Sequence, residues 1–217
     1  MKQKIICFDV DGTLTTISNV WAYLGENFGV EDPNTLTEIM QSELDRTAKL
    51  KAVINELRKT KNCTRENLLK TYEKFPVRDN ISELFIKLKE LDYKIFLVTG
   101  GPKELAEIIN DRYKLDGIYF IAEWEFDDDG LIKMYHAGDA LKQGAKKVEY
   151  VNKISGEHLV QPIEIYFVGD STNDLAAFKH TGNGILIETN ATTDELRMAS
   201  RYRINDLLDI INIVDGE

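Results

Sequence analysis

The most constraining feature of this chain is an alternation. Short apolar runs, each ending in Gly, Asp or Thr, are separated by stretches with helical periodicity. Residues 5–10 (Ile-Ile-Cys-Phe-Asp-Val) run into Asp11-Gly12-Thr13. Residues 94–98 end in Thr99-Gly100-Gly101, 163–168 in Gly169-Asp170 and 184–187 in Glu188-Thr189, with a weaker run at 117–121. Continuous apolar runs of this length read as strands buried on both faces. Between them, Ile81, Leu84, Phe85, Leu88 and Leu91 share one helical face. Pro102 stands where a first helical residue fits, ahead of Leu105, Ile108 and Ile109. Strands alternating with helices imply right-handed crossovers. The expectation is an α/β fold, a Rossmann-like parallel five-stranded sheet with helices on both faces. Ligands of such sheets bind at the carboxyl ends of the strands.

Two segments break the alternation. Residues 16–77 show no strand signal but three helical stretches, at 19–28, 34–59 and 65–75, with breaks at 29–33 and 61–64 and Pro76 closing the block. This predicts a helical cap domain, 16–77, inserted after the first strand over the carboxyl edge of a core domain formed by 1–15 and 78–217. Residues 122–136 alternate Trp124, Phe126, Leu131 and Met134 with polar residues around Asp128-Asp129-Gly130, which predicts a β-hairpin after the third strand. Asp127, Asp128 and Asp129 are adjacent and lack the closing glutamate of a calcium loop, so they read as turn residues. Residues 205–214 read as an amphipathic helix packed on the sheet.

Composition excludes several classes. The chain has 217 residues, 43% hydrophobic and 29% charged, enough for a real core and unlike disordered chains. With 27 Lys+Arg against 37 Asp+Glu the formal charge is -10, which opposes binding to nucleic acid. No apolar run approaches the roughly 18 residues of a membrane span, and the first strand carries acids where a signal peptide stays apolar. Cys7 and Cys63 have no CxxC or His partner, so the expectation is an untargeted, cytoplasmic protein in a reducing compartment. Oligomeric state is not readable.

The acids carry the chemistry. Asp9 and Asp11 are two apart where the first strand ends, so both can approach one site at the sheet edge. The fourth strand repeats the design in Gly169-Asp170-Ser171-Thr172-Asn173-Asp174. Carboxylates crowded at an apolar sheet edge repel one another unless a cation or proton offsets them. A hard divalent ion suits such a site, and Mg2+ is the usual one where few protein ligands share it with a phosphate. Thr99-Gly100-Gly101 offers a hydroxyl and backbone N–H groups before a helix, which suits an anion. Lys146 and Lys147 precede the fourth strand, and a lysine reaching this edge would offset charge.

Taken together, Asp9-Val10-Asp11-Gly12-Thr13-Leu14-Thr15, Thr99-Gly100-Gly101, a lysine at 146 or 147, and Gly169-Asp170-Ser171-Thr172-Asn173-Asp174 resemble, in order, the four motifs of the haloacid dehalogenase superfamily of phosphohydrolases. A helical insert at this position, called type 1 in that family, and a hairpin after the third strand resemble its phosphoserine phosphatase-like branch. The resemblance implies a magnesium-dependent phosphatase acting on a small phosphomonoester. Asp9 would be the nucleophile that forms an aspartyl-phosphate, and Asp11 the acid and base. Thr99, Gly100 and Gly101 would hold the phosphoryl group. The Ala-Lys placement in the family favours Lys146 as the lysine that stabilises it. Metal would be held by Asp9, by Asp11 through its backbone carbonyl and by Asp170, with Asp174 behind them.

Other readings keep the same residues: a phosphotransferase or phosphomutase with an alcohol as acceptor, or a catalytically silent phospho-aspartate switch or binding scaffold. A switch needs no second acid at Asp11 and no helical insert. Within the branch the chain also departs at the substrate pocket. Ser18 stands seven residues after Asp11, where phosphoserine phosphatases use a glutamate for the substrate's amino group. Glu56 aligns with the arginine that binds its carboxylate, with Arg58 two residues away. The resemblance therefore implies a substrate other than O-phosphoserine, with Ser18 at the substrate pocket.

Overall fold

The computed structural model describes residues 3–17, 19–139 and 142–215. Seven strands form one sheet in the order β4-β3-β2-β1-β5-β6-β7. They are β1 (Lys4–Phe8), β2 (Tyr93–Pro102), β3 (Gly117–Phe126), β4 (Ile132–His136), β5 (Ile165–Gly169), β6 (Gly184–Ile187) and β7 (Tyr202–Ile204). All neighbouring pairs are parallel except β3 with β4. The sheet is thus Rossmann-like and mainly parallel, but it has seven strands and not five. The two added strands have different origins. The first arm of the hairpin is the continuation of β3 itself, so β4 joins the same sheet, with Trp124 opposite Tyr135. β7 is a three-residue strand beside β6, too short to leave a periodic signal.

Ten α-helices accompany the sheet among the described residues: α1 (Val20–Phe28), α2 (Asn34–Gln41), α3 (Arg46–Lys59), α4 (Arg65–Glu73), α5 (Ile81–Glu90), α6 (Lys103–Tyr113), α7 (Gln143–His158), α8 (Leu175–Thr181), α9 (Asp194–Ala199) and α10 (Asp209–Val214). β1 shows how the faces divide. Ile6 and Phe8 join one apolar cluster with Leu84 and Leu105, whereas Ile5 and Cys7 join another with Val151 and Phe178. Side chains two apart share a face, so a wholly apolar strand feeds both layers. Cys7 and Cys63 are buried and unpaired, and burial pushes both thiols to higher pKa.

The segment 16–77 forms four helices, not three. The expected helix over 34–59 breaks at residues 42–45, because side chains there satisfy the backbone in another way. Ser42 Oγ donates to the Ile39 carbonyl at 2.7 Å, and Asp45 caps α3 by accepting from Ala48 N at 3.0 Å. Leu24, Phe28, Leu36, Val53 and Tyr72 of these helices belong to the cluster that contains Ile6 and Phe8. An antiparallel bridge between Thr15 and Val77 closes the segment at its neck, and another between Thr64 and Leu131 ties it to the hairpin. The aspartates of the hairpin make the expected turn, with Asp127 Oδ1 accepting from Asp129 N and Leu131 N. None of the described helices is long and apolar enough to cross a membrane.

Candidate active site

β1 and β5 are neighbours, so the residues that follow them meet at one edge. Asp9 continues the ladder by donating its N–H to the Val168 carbonyl at 2.9 Å. The chain then turns through Gly12, whose φ of +79° lies in the left-handed region. A side chain there would also strike Asp170, because a Cβ on Gly12 would lie 2.4 Å from its Oδ2. Thr13 Oγ1 donates to Asp170 Oδ1 at 2.7 Å, and Arg78 clamps the loop by donating to the Gly12 and Thr13 carbonyls, each at 2.9 Å.

On the other arm, Asp174 folds back on the strand end. Its Oδ2 accepts from Asp170 N at 3.1 Å and Ser171 N at 3.0 Å, while its Oδ1 accepts from Lys147 Nζ at 2.6 Å. Both of its oxygens are thereby engaged by protein donors. Lys147 Nζ also lies 2.9 Å from Asp9 Oδ1, and the three side chains are almost wholly enclosed, at 1% exposure for Lys147, 7% for Asp9 and 0% for Asp174.

The lysine is therefore Lys147, and the expectation of Lys146 is corrected. Gln143, Lys147, Val151 and Ile154 are the buried stripe of α7, and neighbours on a helix diverge by about 100°. Lys146 points outward to Glu149 at 2.6 Å and lies over the Tyr150 ring. The sequence signal for 147 was this stripe, which outweighs motif position.

Thr99, Gly100 and Gly101 lie in the irregular end of β2 and not in a loop. The register against β3 shifts between Thr99 and Pro102, and Pro102 caps α6 instead of starting it. Thr99 Oγ1 accepts from Gly101 N at 2.8 Å. A Cβ on Gly101 would sit 2.1 Å from Asp11 Oδ2, which places the Asp11 carboxylate directly against this segment. Gln143, buried one turn before Lys147, packs on Gly100 from the other side, its Oε1 3.2 Å from where a Gly100 Cβ would be. The sequence reading missed Thr13, Arg78 and Gln143, whose only local signals are a hydroxyl in the first motif and a polar residue in the α7 stripe. Ser18 lies outside the described residues. Glu56 pairs with Lys59 at 2.5 Å and lines a surface hollow with Gly29 and Thr60, and Arg58 is engaged by Asp127 at 2.7 Å and the Ile132 carbonyl at 2.8 Å. Another surface hollow lies between Phe178 and Met198.

The electrostatics follow from crowding. Burial pushes the Asp9 carboxyl well above the usual range. Lys147 opposes that shift, and Asp174, Asp11 and Asp170 add to it. Burial also raises Asp11, against the pull of Lys147, although Asp11 keeps an exposed side at the mouth of the site. Asp170 is pushed up to about 6, first by burial and then by Asp174, against the Thr13 hydrogen bond. For Lys147, burial disfavours the charge, but Asp174 and Asp9 outweigh it and hold the ammonium protonated. One lysine faces four acids, so the site is short of positive charge.

A cation fits that shortage. Asp9, Asp170 and Asp174 each bring a carboxylate oxygen to within 4.8 Å of the others. Both oxygens of Asp174 are engaged, whereas Asp9 meets Lys147 and Asp170 meets Thr13 through Oδ1, which leaves the Oδ2 of each to ligate.

A mainly parallel α/β sheet carrying paired acids at the ends of two adjacent strands, with a buried lysine between them, defines the class. The family model for haloacid dehalogenase-like hydrolases matches residues 3–182, and the chain belongs to that family. Within it the likeness is to phosphoserine phosphatases. A probable phosphoserine phosphatase of Schizosaccharomyces pombe is 25% identical over 85% of this chain, and the phosphoserine phosphatase of Archaeoglobus fulgidus 26% over 85%. The chain spans only 61% and 52% of the length of those two relatives. Among solved structures, a phosphoserine phosphatase in the form of a phospho-aspartyl intermediate analogue superposes with a TM-score of 0.76 at 22% identity, covering 99% of this chain and 100% of that one. A substrate-bound phosphoserine phosphatase complex gives 0.73 at 23% identity, with 99% of each chain covered. At these identities the solved structures establish the shared fold.

Proposed function

We propose that the protein is a magnesium-dependent phosphatase that hydrolyses a small phosphomonoester through an aspartyl-phosphate. The observation that carries this reading is the pairing of buried Asp9 with Lys147 at 2.9 Å, with the Asp11 carboxylate held against Gly101 on the other side. An oxygen of Asp9 attacks phosphorus, and the bond from phosphorus to the alcohol oxygen breaks. Asp11, whose carboxyl is pushed up by burial, gives a proton to the departing oxygen. In the second half Asp11 takes a proton from water, which attacks the same phosphorus and frees Asp9 and phosphate.

Thr99, Gly100 and Gly101 border the phosphoryl group, and Lys147 offsets its charge. Asp174 positions Lys147. Asp9, Asp170 and the Asp11 carbonyl would hold magnesium, which supplies the positive charge that keeps Asp9 ionised beside three other acids. Residues 16–77 act as a cap domain over this edge, and the buried free thiols fit a reducing, cytoplasmic setting.

Asp11 distinguishes an enzyme from a phospho-aspartate switch, and its exposed side favours water over a second alcohol as acceptor. O-phosphoserine is expected to be a poor substrate. Glu56 is an acid paired with Lys59, and Arg58 is engaged by Asp127, leaving neither of the two aligned residues to pair with a substrate carboxylate. Phosphate release from a panel of small phosphomonoesters, with and without magnesium, tests the reading, together with borohydride trapping of an acyl-phosphate at Asp9. No release from any ester, or release without trapping at Asp9, would overturn it.

A further inference from the structure

A cluster of rings stands on β3 and β4 where they run on beyond the Thr99-Gly100-Gly101 segment. Trp124 lies on β3 two residues beyond Ala122, which pairs with Pro102, and its backbone N–H donates to Glu104 Oε1 at 3.1 Å, so it stands just past that segment, at the first turn of α6. Tyr135, opposite Trp124 on β4, stacks on it with ring centroids 4.4 Å apart, and Trp21 at the start of α1 meets Tyr135 edge-on at 6.0 Å. Tyr72 locks the back of this wall by accepting from Trp124 Nε1 at 2.9 Å. Trp124 and Tyr72 are buried, whereas Trp21 and Tyr135 are half-buried. Burial first, then Asp11 and Glu104, push the Tyr135 hydroxyl up and Arg46 pulls it down, so the ring stands in the field of all three charges. Arg46 crosses the end of β4, donating from Nη2 to the Ala137 carbonyl at 3.3 Å, and it forms no ion pair with an acid among the described residues.

We infer that this face, Trp21 and Tyr135 with Arg46 at its rim, selects a phosphomonoester whose alcohol carries a flat ring bearing an acidic substituent. The inference rests on the phosphatase reading for the place of the phosphoryl group, and adds the class of leaving group. A ring standing beyond Asp11 meets the two half-buried aromatic side chains, where stacking is favourable whatever the ring's substituents. An aliphatic alcohol of similar size has no matching surface. An acid on the far edge of the ring meets a guanidinium that has no competing carboxylate, in a protein whose net charge otherwise repels anions.

Phosphonates test this without turnover. Affinities for benzylphosphonate, butylphosphonate and 4-(phosphonomethyl)benzoate are measured by calorimetry with magnesium present, on the parent, Trp21→Leu and Arg46→Met. Benzylphosphonate is expected to bind about tenfold more tightly than butylphosphonate, and the benzoate about tenfold more tightly again. Trp21→Leu should collapse the first ratio while butylphosphonate still binds, which shows that the variant is folded. Arg46→Met should collapse the second ratio and spare the first. Equal affinities, failure of every phosphonate to bind the parent, or ratios that survive these substitutions would overturn the inference. Hydrolysis of the corresponding phosphates separates the two levels. Tight, ring-selective binding with no phosphate released from any ester would refute the phosphatase reading alone, and release without ring preference would refute this inference alone.

Discussion

The carboxyl edge of the sheet and the aromatic cluster on β3 and β4 beyond it are built by opposite rules. At the edge, charge is fixed: Asp174 has both oxygens engaged, Lys147 is held between two acids, and Asp170 is tied to Thr13. On the aromatic face, the side chains of Trp124 and Tyr72 share one hydrogen bond, and Trp21, Trp124 and Tyr135 meet ring on ring. Preorganised charge is what phosphoryl transfer needs, because a misplaced charge costs rate directly. Selection of an alcohol needs only shape and area, which can vary without disturbing the edge. The motifs of the family lie at the edge.

The largest effect expected from breaking this contrast is at Asp9. Asp9→Asn keeps the shape and removes the nucleophile, so kcat should fall by about a thousandfold or more while the fold persists. By contrast, Trp21→Leu should change the preference among alcohols by only about tenfold. Steady-state kinetics on one alkyl and one aryl phosphate check both. Retention of a tenth of the parent activity in Asp9→Asn would end the nucleophile assignment.

Next comes the pair of lysines. Lys147→Met should lose about a hundredfold or more in kcat, since it removes the only cation in contact with Asp9 among the described residues. It should also lower the melting temperature, because breaking a buried ion pair leaves uncompensated charge at a cost of about 3–5 kcal/mol. Lys146→Met touches a surface pair with Glu149 and should change either quantity little. Activity lost with Lys146 and kept without Lys147 would reverse the assignment made from the structure.

That reversal of neighbours shows where sequence reasoning reached and where it stopped. Five apolar runs predicted five strands near their observed places, because a strand buried on both faces must be apolar throughout. β7 was invisible at three residues, and β4 was read as a separate hairpin because nothing local says that an arm continues β3. The acids Asp9, Asp11, Asp170 and Asp174 could be named because strand ends place them. Arg78 and Gln143 could not, since their roles exist only once the Gly12 loop and the Gly100 segment are folded against them. The break between α2 and α3 was present in Ser42 and Asp45 as side chains that compete with helix, a signal weaker than the apolar period around it.

A smaller effect is expected at Gly101. Its Cβ would overlap Asp11 Oδ2 at 2.1 Å, so Gly101→Ala must displace that carboxylate, which sits on a side chain free to move. Stability should change little. Activity should fall by about tenfold to a hundredfold, in the range expected for losing a positioned acid. The loss should be greater for alkyl phosphates, whose alkoxide needs the proton, than for 4-nitrophenyl phosphate, whose phenolate leaves without one. Equal losses on both would show that Gly101 serves binding and not the placement of Asp11.

The smallest effect is one of stability, and it concerns the charge shortage itself. In metal-free protein the Asp170 carboxyl is pushed up to about 6, chiefly by burial and by Asp174, against about 3.9 in an unfolded chain. Below about pH 4 it is protonated in both states. Between about pH 4 and 6 the folded protein holds a proton that the unfolded chain has released, so folding stability falls as pH rises through this window and then levels off. Asn at this position retains an acceptor for Thr13 and removes the titration. In chelator, Asp170→Asn should therefore melt no lower than the parent at pH 7, with any advantage shrinking toward pH 4. Magnesium should reverse the order, raising the parent's melting temperature by more than the variant's, because a ligand that binds only the folded state stabilises in proportion to its affinity. A variant that melts lower than the parent in chelator at pH 7 would mean that the edge is held together by Asp170 and not strained by it. Equal magnesium shifts in the two proteins would remove Asp170 from the metal site.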